Sequence, residues 1–111
     1  MKSTTRRLLI QLGLSPKYKG YDAIVEAVDL FAKEPDIKTT AIYASVAKTL
    51  GSTYNKVERN IRKSILVILD RGNDKLLHKI CGYNVLKEGH IVNSDFIACL
   101  AYYVLEVYNN G

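Results

Sequence analysis

The sequence has few of the features that mark several large classes of protein. It holds only two prolines, two cysteines without a C-x-x-C spacing, and no apolar run near the roughly 18 residues of a membrane span. The apolar core of its N-terminus is too short for a signal peptide. We therefore expect a cytoplasmic protein that has no membrane partner.

Composition and length then indicate what kind of chain this is. With 48% hydrophobic residues among 111, it has enough apolar residues to form a core and is not expected to be disordered. The length suits one domain, residues 1–111, because it is too short for two separate cores.

Motifs for catalysis and cofactor binding are missing too. Lys17 and Lys19 lie near Gly20, but the G-x-x-x-x-G-K-[ST] order of a phosphate loop is absent. No nucleophile–base pair stands out, so we predict that the protein is not an enzyme and expect no cofactor. One conceivable zinc cluster consists of His78, Cys81, His90 and Cys99. Their spacing matches no familiar zinc framework, so we expect no metal and predict that both cysteines are buried structural residues.

Hydrophobic periodicity predicts six helices and no strand. The predicted helices cover residues 4–12, 21–33, 41–50, 54–70, 74–81 and 94–108. Thr39 or Thr40 is expected to cap the third helix, Gly51 to end it, and Asn93 or Ser94 to cap the last. Residues 82–92 are predicted to form an irregular loop. Consecutive helices joined by short loops indicate an all-α, six-helix bundle.

Positive charge is concentrated in one stretch of the chain. Residues 38–63 contain six cations and a single acid, a net charge of +5, which equals the net charge of the whole chain. Localised positive charge is typical of a phosphate-binding surface, although a basic helix face is also commonly just solvated.

The fourth predicted helix changes character along its length. On a helical wheel, Asn55, Arg59 and Arg62 lie opposite its apolar stripe. After Ser64 the polar stripe ends, and Leu66 lies in line with Arg59. The pattern predicts a helix whose second half is buried all round and whose basic first turns project from the core.

A helix-turn-helix is predicted at about residues 41–70. Ala47 would let the second helix approach the first, Gly51 would make the turn, and Val57 would anchor the second helix. An ordinary corner between two helices is the alternative.

The side chains of this segment suit particular contacts with DNA. Arg59 and Arg62 can bind guanine with two hydrogen bonds, Asn55 can pair with adenine, and Glu58 can accept a hydrogen bond from cytosine. Phosphate contacts are expected from Ser52, Thr53, Lys56 and Lys63. Two alternatives stay open: Glu58 and Arg62 form only a surface pair, or Asn55 only caps the helix.

The stretch YASVAKTLGSTYNKVERNIRKSI resembles the DNA-binding effector domain of the master sporulation response regulators of endospore-forming Firmicutes. The reading-helix motif of that family, Ser-Arg-Val-Glu-Arg-Ala-Ile-Arg, corresponds to residues 55–62. Similar pieces follow the family's order through nearly the whole chain, namely LGLSPKYKGYDAIVEAV, DRGN, GYNV and NSDFIACLA.

The resemblance implies a six-helix effector domain that binds a short box in double-stranded DNA and regulates sporulation-phase promoters. The base-reading residues that it implies are Asn55, Lys56, Glu58, Arg59 and Arg62. Lys56 stands where the family has an Arg, so a point charge replaces a bidentate fork there. Asn55 replaces a Ser. The preferred DNA sequence is therefore expected to differ from the family's box, while Glu58, Arg59 and Arg62 keep the centre of the box.

The family also implies partners and a domain arrangement. A weak, DNA-assisted homodimer on tandem boxes is expected, through the last helix, where Tyr102, Tyr103 and Tyr108 are either interface or core residues. Family members carry an N-terminal receiver domain, for which 111 residues leave no room, so we expect an excised effector domain or a stand-alone relative.

The leading hypothesis is therefore a sequence-specific transcription regulator at the bacterial nucleoid. The alternative is a protein-interaction module that binds the full-length regulator or RNA polymerase without reading DNA.

Overall fold

The structure is a computed structural model, and it describes residues 1–71, 73–82 and 89–110. Within these ranges the chain forms helices and no strand. The helices are α1 (Lys2–Gln11), α2 (Lys19–Lys33), α3 (Thr39–Leu50), α4 (Tyr54–Arg71), α5 (Asp74–Cys81) and α6 (Asn93–Asn110). The prediction of an all-α bundle is confirmed. Most of the loop predicted at residues 82–92 lies outside the described residues.

The first three helices each begin two residues earlier than predicted, and none of them has a capping side chain at its start. α3 begins at Thr39, and the residue before it, Lys38, has extended backbone angles and makes no side-chain cap bond. The prediction that Thr39 or Thr40 caps α3 is wrong, because both residues already lie inside the helix. Helices that begin without a capping side chain leave little local signal in the sequence.

The predicted cap of the last helix is also wrong, because α6 begins at Asn93, so that Asn93 and Ser94 both lie inside it. The side-chain amide of Asn93 is buried and donates a hydrogen bond to the backbone carbonyl of Glu58, at 3.0 Å. Asn93 therefore joins the start of α6 to the first turns of α4. The first backbone bond of α6 runs from the Phe96 N–H to the Val92 carbonyl instead.

Helix α2 is the centre of the bundle and packs against α1, α3, α4 and α6. Its buried residues form a wide stripe and include Tyr21, Ala23, Ile24, Val25, Ala27 and Val28. A helix that is apolar over so much of its circumference is stabilised mainly by packing on several sides. The other helices are therefore positioned largely by their contacts with α2.

The closest approach of α2 to α4 is at Gly20. A Cβ atom at this position would lie 1.9 Å from the Ser64 hydroxyl and 2.3 Å from the Asn60 carbonyl oxygen. The Ser64 hydroxyl is buried and donates a hydrogen bond to the same carbonyl, at 2.9 Å. The crossing therefore requires a residue without a side chain on α2 and a small, internally satisfied residue on α4.

Helix α4 is buried along one side only. Val57, Ile61, Ile65 and Ile68 are buried toward the other helices. Leu66 is 58% exposed, so the prediction that the second half of α4 is buried all round is wrong. The helices that pack on α4, namely α2, α3 and α6, lie on its apolar side and leave the side of Leu66 uncovered.

None of the tyrosines Tyr102, Tyr103 and Tyr108 of α6 is fully buried in the core. Tyr102 is 56% exposed and Tyr108 is 63% exposed, while Tyr103 is half-buried against the core. The ring of Phe31 meets that of Tyr102 edge-to-face, with 5.5 Å between the ring centroids. An aromatic patch thus remains on the surface formed by α2 and α6.

The Gly20 crossing leads to a prediction about stability. A Gly→Ala substitution inside a helix ordinarily stabilises a protein by up to about 1 kcal/mol. Gly20→Ala should instead lower the free energy of unfolding by about 1–3 kcal/mol, because the new methyl group overlaps backbone atoms of α4. Urea unfolding measures the difference. Gly51→Asn serves as the control, since Gly51 has a left-handed φ of 62° with no atom within 4 Å of a new Cβ. An unchanged or higher stability of Gly20→Ala would contradict this account of the crossing.

Candidate nucleic-acid interface

A short turn joins α3 to α4 and sets how the two helices meet. Gly51 ends α3 with φ 62° and ψ 39°, and the N–H of Ser52 donates to the Ala47 carbonyl at 2.8 Å. Ala47 and Val57 are both buried, at 7% and 2% exposure. The small residue, the glycine turn and the apolar anchor thus lie where a helix-turn-helix needs them.

Thr53 caps the start of α4. Its hydroxyl accepts a hydrogen bond from the backbone N–H of Lys56 at 3.3 Å, and its carbonyl accepts one from Val57 at 3.0 Å. The capping role that was an alternative for Asn55 therefore belongs to Thr53. Asn55 lies exposed in the first turn of the helix.

The structure brings the predicted site residues together on the exposed start of α4 and the turn before it. Ser52 and Glu58 are half-buried, while the exposed members are Thr53, Asn55, Lys56, Arg59, Arg62 and Lys63. We call this set of eight residues the reading face. It is presented by a helix whose opposite side is fixed in the core, so its side chains project from a rigid backbone.

One ion pair lies within the reading face. The guanidinium of Arg62 donates to the Glu58 carboxylate at 2.5 Å, and the two side chains are 56% and 34% exposed. The surface pair that the spacing suggested is therefore present. Such a pair is worth only a few tenths of a kcal/mol. It leaves most of the five N–H donors of Arg62 available for another partner.

The two sides of the reading face differ in charge. Beside Glu58 and Arg62 lies a groove of about 510 Å³, lined largely by apolar side chains that include Tyr43, Leu66 and Val92. On the other side lies a cleft of about 410 Å³ between the start of α2 and α4. Its walls include Tyr18, Lys19, Gly20, Arg59, Asn60 and Lys63. We call these the apolar groove and the basic cleft.

A family comparison matches this architecture. The family model described as "Sporulation initiation factor Spo0A C terminal" matches residues 5–104. The chain belongs to this family. The match runs from α1 into α6 and includes the whole reading face, and the resemblance seen in the sequence is confirmed.

The family places the protein among DNA-binding effector domains of sporulation transcription regulators, which are not enzymes. The protein is accordingly a DNA-binding transcription regulator at the level of the family.

Lys19 is a residue of this region that the sequence pattern did not single out. It lies 40 positions before Arg59 in the chain, and the structure places both on the basic cleft. The only local signal was the run of Lys17 and Lys19 before Gly20, which fits no phosphate-loop motif. Two residues that come together from different helices leave no periodic pattern in the sequence that could reveal their proximity.

The two cysteines lie side by side between α5 and α6, away from the reading face. Burial and the adjacent Cys99 thiol raise the pKa of Cys81 to about 12, and burial also raises the pKa of Cys99. Both are therefore protonated thiols at neutral pH. The prediction that both cysteines are buried is confirmed for Cys81 and is wrong for Cys99, which is only half-buried. In the described ranges of the chain, no three His, Cys, Asp or Glu side chains are grouped so that they could hold a metal ion, and no helix is long and apolar enough to cross a membrane.

The cap of α4 leads to a second prediction. Thr53→Ala should lower the free energy of unfolding by about 0.5–2 kcal/mol, because the Lys56 N–H loses its side-chain acceptor. Thr53→Ser keeps the hydroxyl and is the matched control, expected to unfold close to wild type in urea. If the two variants lose the same stability, the hydroxyl does not cap α4.

Proposed function

We propose that the protein recognises a short DNA sequence by placing the first turns of α4 in the major groove. In this arrangement Asn55, Lys56, Glu58, Arg59 and Arg62 meet base edges. The phosphate contacts come from Ser52, Thr53 and Lys63. The observation that carries the proposal is the exposed, capped and core-anchored start of α4, with its forked and basic side chains, in a chain of a DNA-binding family.

The dimensions and charge of α4 support this proposal. A helix with its side chains is about 10–12 Å across and fits the major groove, which is about 12 Å wide. Arg59 is exposed, and none of the ion pairs in the described part of the chain involves it. Its fork is therefore available for two parallel hydrogen bonds to guanine, which makes Arg59 the strongest candidate for a specific base contact.

Other surfaces of the protein suit protein partners. The apolar groove has Leu66 and Val92 exposed at its edge, at 58% and 53%. This supports the second candidate function, a protein-interaction module that binds the full-length regulator or RNA polymerase without reading DNA. Tyr102 and Tyr108 on α6 support a weak homodimer that forms on tandem DNA boxes. DNA binding would place the protein at the bacterial nucleoid.

The experiment that tests DNA reading is fluorescence anisotropy with two labelled duplexes of equal length. One carries the family's box and the other a scrambled sequence, and both are titrated at two salt concentrations. Tighter binding to the box supports the proposal. Equal, strongly salt-dependent binding to both duplexes indicates that the preferred DNA sequence differs from the family's box. Selection from random DNA would then identify that sequence. Binding to neither would favour the protein-partner function.

Arg59→Ala tests base reading directly. We expect it to weaken binding to the box by about 1–3 kcal/mol, with a smaller effect on the scrambled duplex, because a bidentate base contact is lost only at the correct base. The preference for the box should therefore shrink. An equal loss on both duplexes would contradict a base-reading role for Arg59.

Lys63→Ala tests the phosphate contact. We expect weaker binding to every sequence alike and a salt slope that is lower by about one unit, because one phosphate contact releases about one counterion. Lys33→Ala is the control, since Lys33 is paired with Asp29 at the far end of α2. A changed box preference in Lys63→Ala would show that Lys63 contacts a base instead.

A further inference from the structure

We propose that the DNA contact extends beyond the helix-turn-helix into the basic cleft, where Lys19 of α2 binds the phosphate backbone together with Lys63 of α4, beside the base contact proposed for Arg59. The inference rests on the proposed function, because it takes α4 as the helix in the major groove. It adds a phosphate contact from an element that lies outside the helix-turn-helix.

The charge of the basic cleft is the first reason. Three cations, Lys19, Arg59 and Lys63, line it, and its described walls contain no acid. The ion pairs found in the described ranges are Lys2–Glu26, Lys33–Asp29 and Arg62–Glu58, so none uses a cation of the cleft. The apolar groove on the other side of α4 has Glu58 beside Arg62 instead. An anionic backbone is therefore favoured on the side of the cleft.

The position of the cleft on α4 is the second reason. Arg59 and Lys63 are four residues apart, so they lie on one side of the helix, about 6 Å apart along its axis. Both belong to the reading face and to the wall of the cleft. When a helix lies in the major groove, the phosphates of the strands run along its flanks. A strand that passes Arg59 and Lys63 on this flank comes next to the start of α2, where Lys19 lies.

The packing around Lys19 is the third reason. Gly20 lies directly against Asn60 and Ser64, so the backbone next to Lys19 is packed closely on α4. The preceding Tyr18 is held as well, because its hydroxyl accepts a hydrogen bond from Arg71 at 3.3 Å. A cation on a backbone that is already ordered loses less freedom when it binds.

The test compares Lys19→Gln with Lys33→Gln, two variants that remove the same charge from opposite ends of α2. Binding of each to the box and to the scrambled duplex is measured by anisotropy between 50 and 200 mM salt. We expect Lys19→Gln to lower the salt slope by about 0.9 units on both duplexes, which is a difference of about 3.5-fold in affinity over this range. The ratio of the two affinities should not change. Lys33→Gln should keep the wild-type slope, and Lys19→Arg should restore it.

The outcomes separate this inference from the proposed function. If wild type prefers the box and Arg59→Ala loses that preference, but Lys19→Gln and Lys33→Gln have the same slope, the inference is wrong and base reading by α4 stands. If Lys19→Gln changes the box preference, Lys19 does not act through phosphate. If wild type binds neither duplex, both the proposed function and the inference fail. Equal thermal midpoints for the variants show that the fold is intact.

Discussion

The close crossing of α2 and α4 at Gly20 is the constraint on which the rest of the structure depends. No side chain separates the helices there, and the Ser64 hydroxyl is satisfied within its own helix by the Asn60 carbonyl. Because α2 also packs on α1, α3 and α6, the placement of α4 against it sets the position of α4 in the whole bundle. A reading helix needs such a fixed position, since base contacts depend on geometry within a fraction of an ångström.

The same crossing couples the core to the candidate DNA surface. Asn60 and Ser64 face α2, while Arg59 and Lys63 are their immediate neighbours in the chain and lie on the wall of the basic cleft. One stretch of α4 therefore supplies both the packing contact and the cations. At the other edge of the reading face, the backbone carbonyl of Glu58 accepts a hydrogen bond from Asn93 of α6. The reading face is thus supported from two sides by elements that are distant in sequence.

Much of the fold could be predicted from local patterns, and the errors have a common cause. The glycine at position 51 marked the end of α3 correctly, because a left-handed φ of 62° is a conformation that glycine adopts without strain. The caps expected from Thr39 and Asn93 were wrong, because both residues lie inside the helices that they were expected to cap. Asn93 bonds to α4 rather than to its own helix, and only the packed structure offers that partner.

The sequence by itself determined the helical class, the basic and apolar sides of α4, and the family, because these depend on residue type and on spacing along the chain. The tertiary structure alone decided which of those surfaces are covered. Leu66 is exposed because no described helix packs on its side of α4, although its residue type favours burial. Lys19 joins Arg59 and Lys63 because two helices cross at a glycine. The periodicity of a sequence shows which side of one helix is apolar. It does not show which sides other helices cover, or which residues of different helices lie next to each other, because both depend on where the other helices lie.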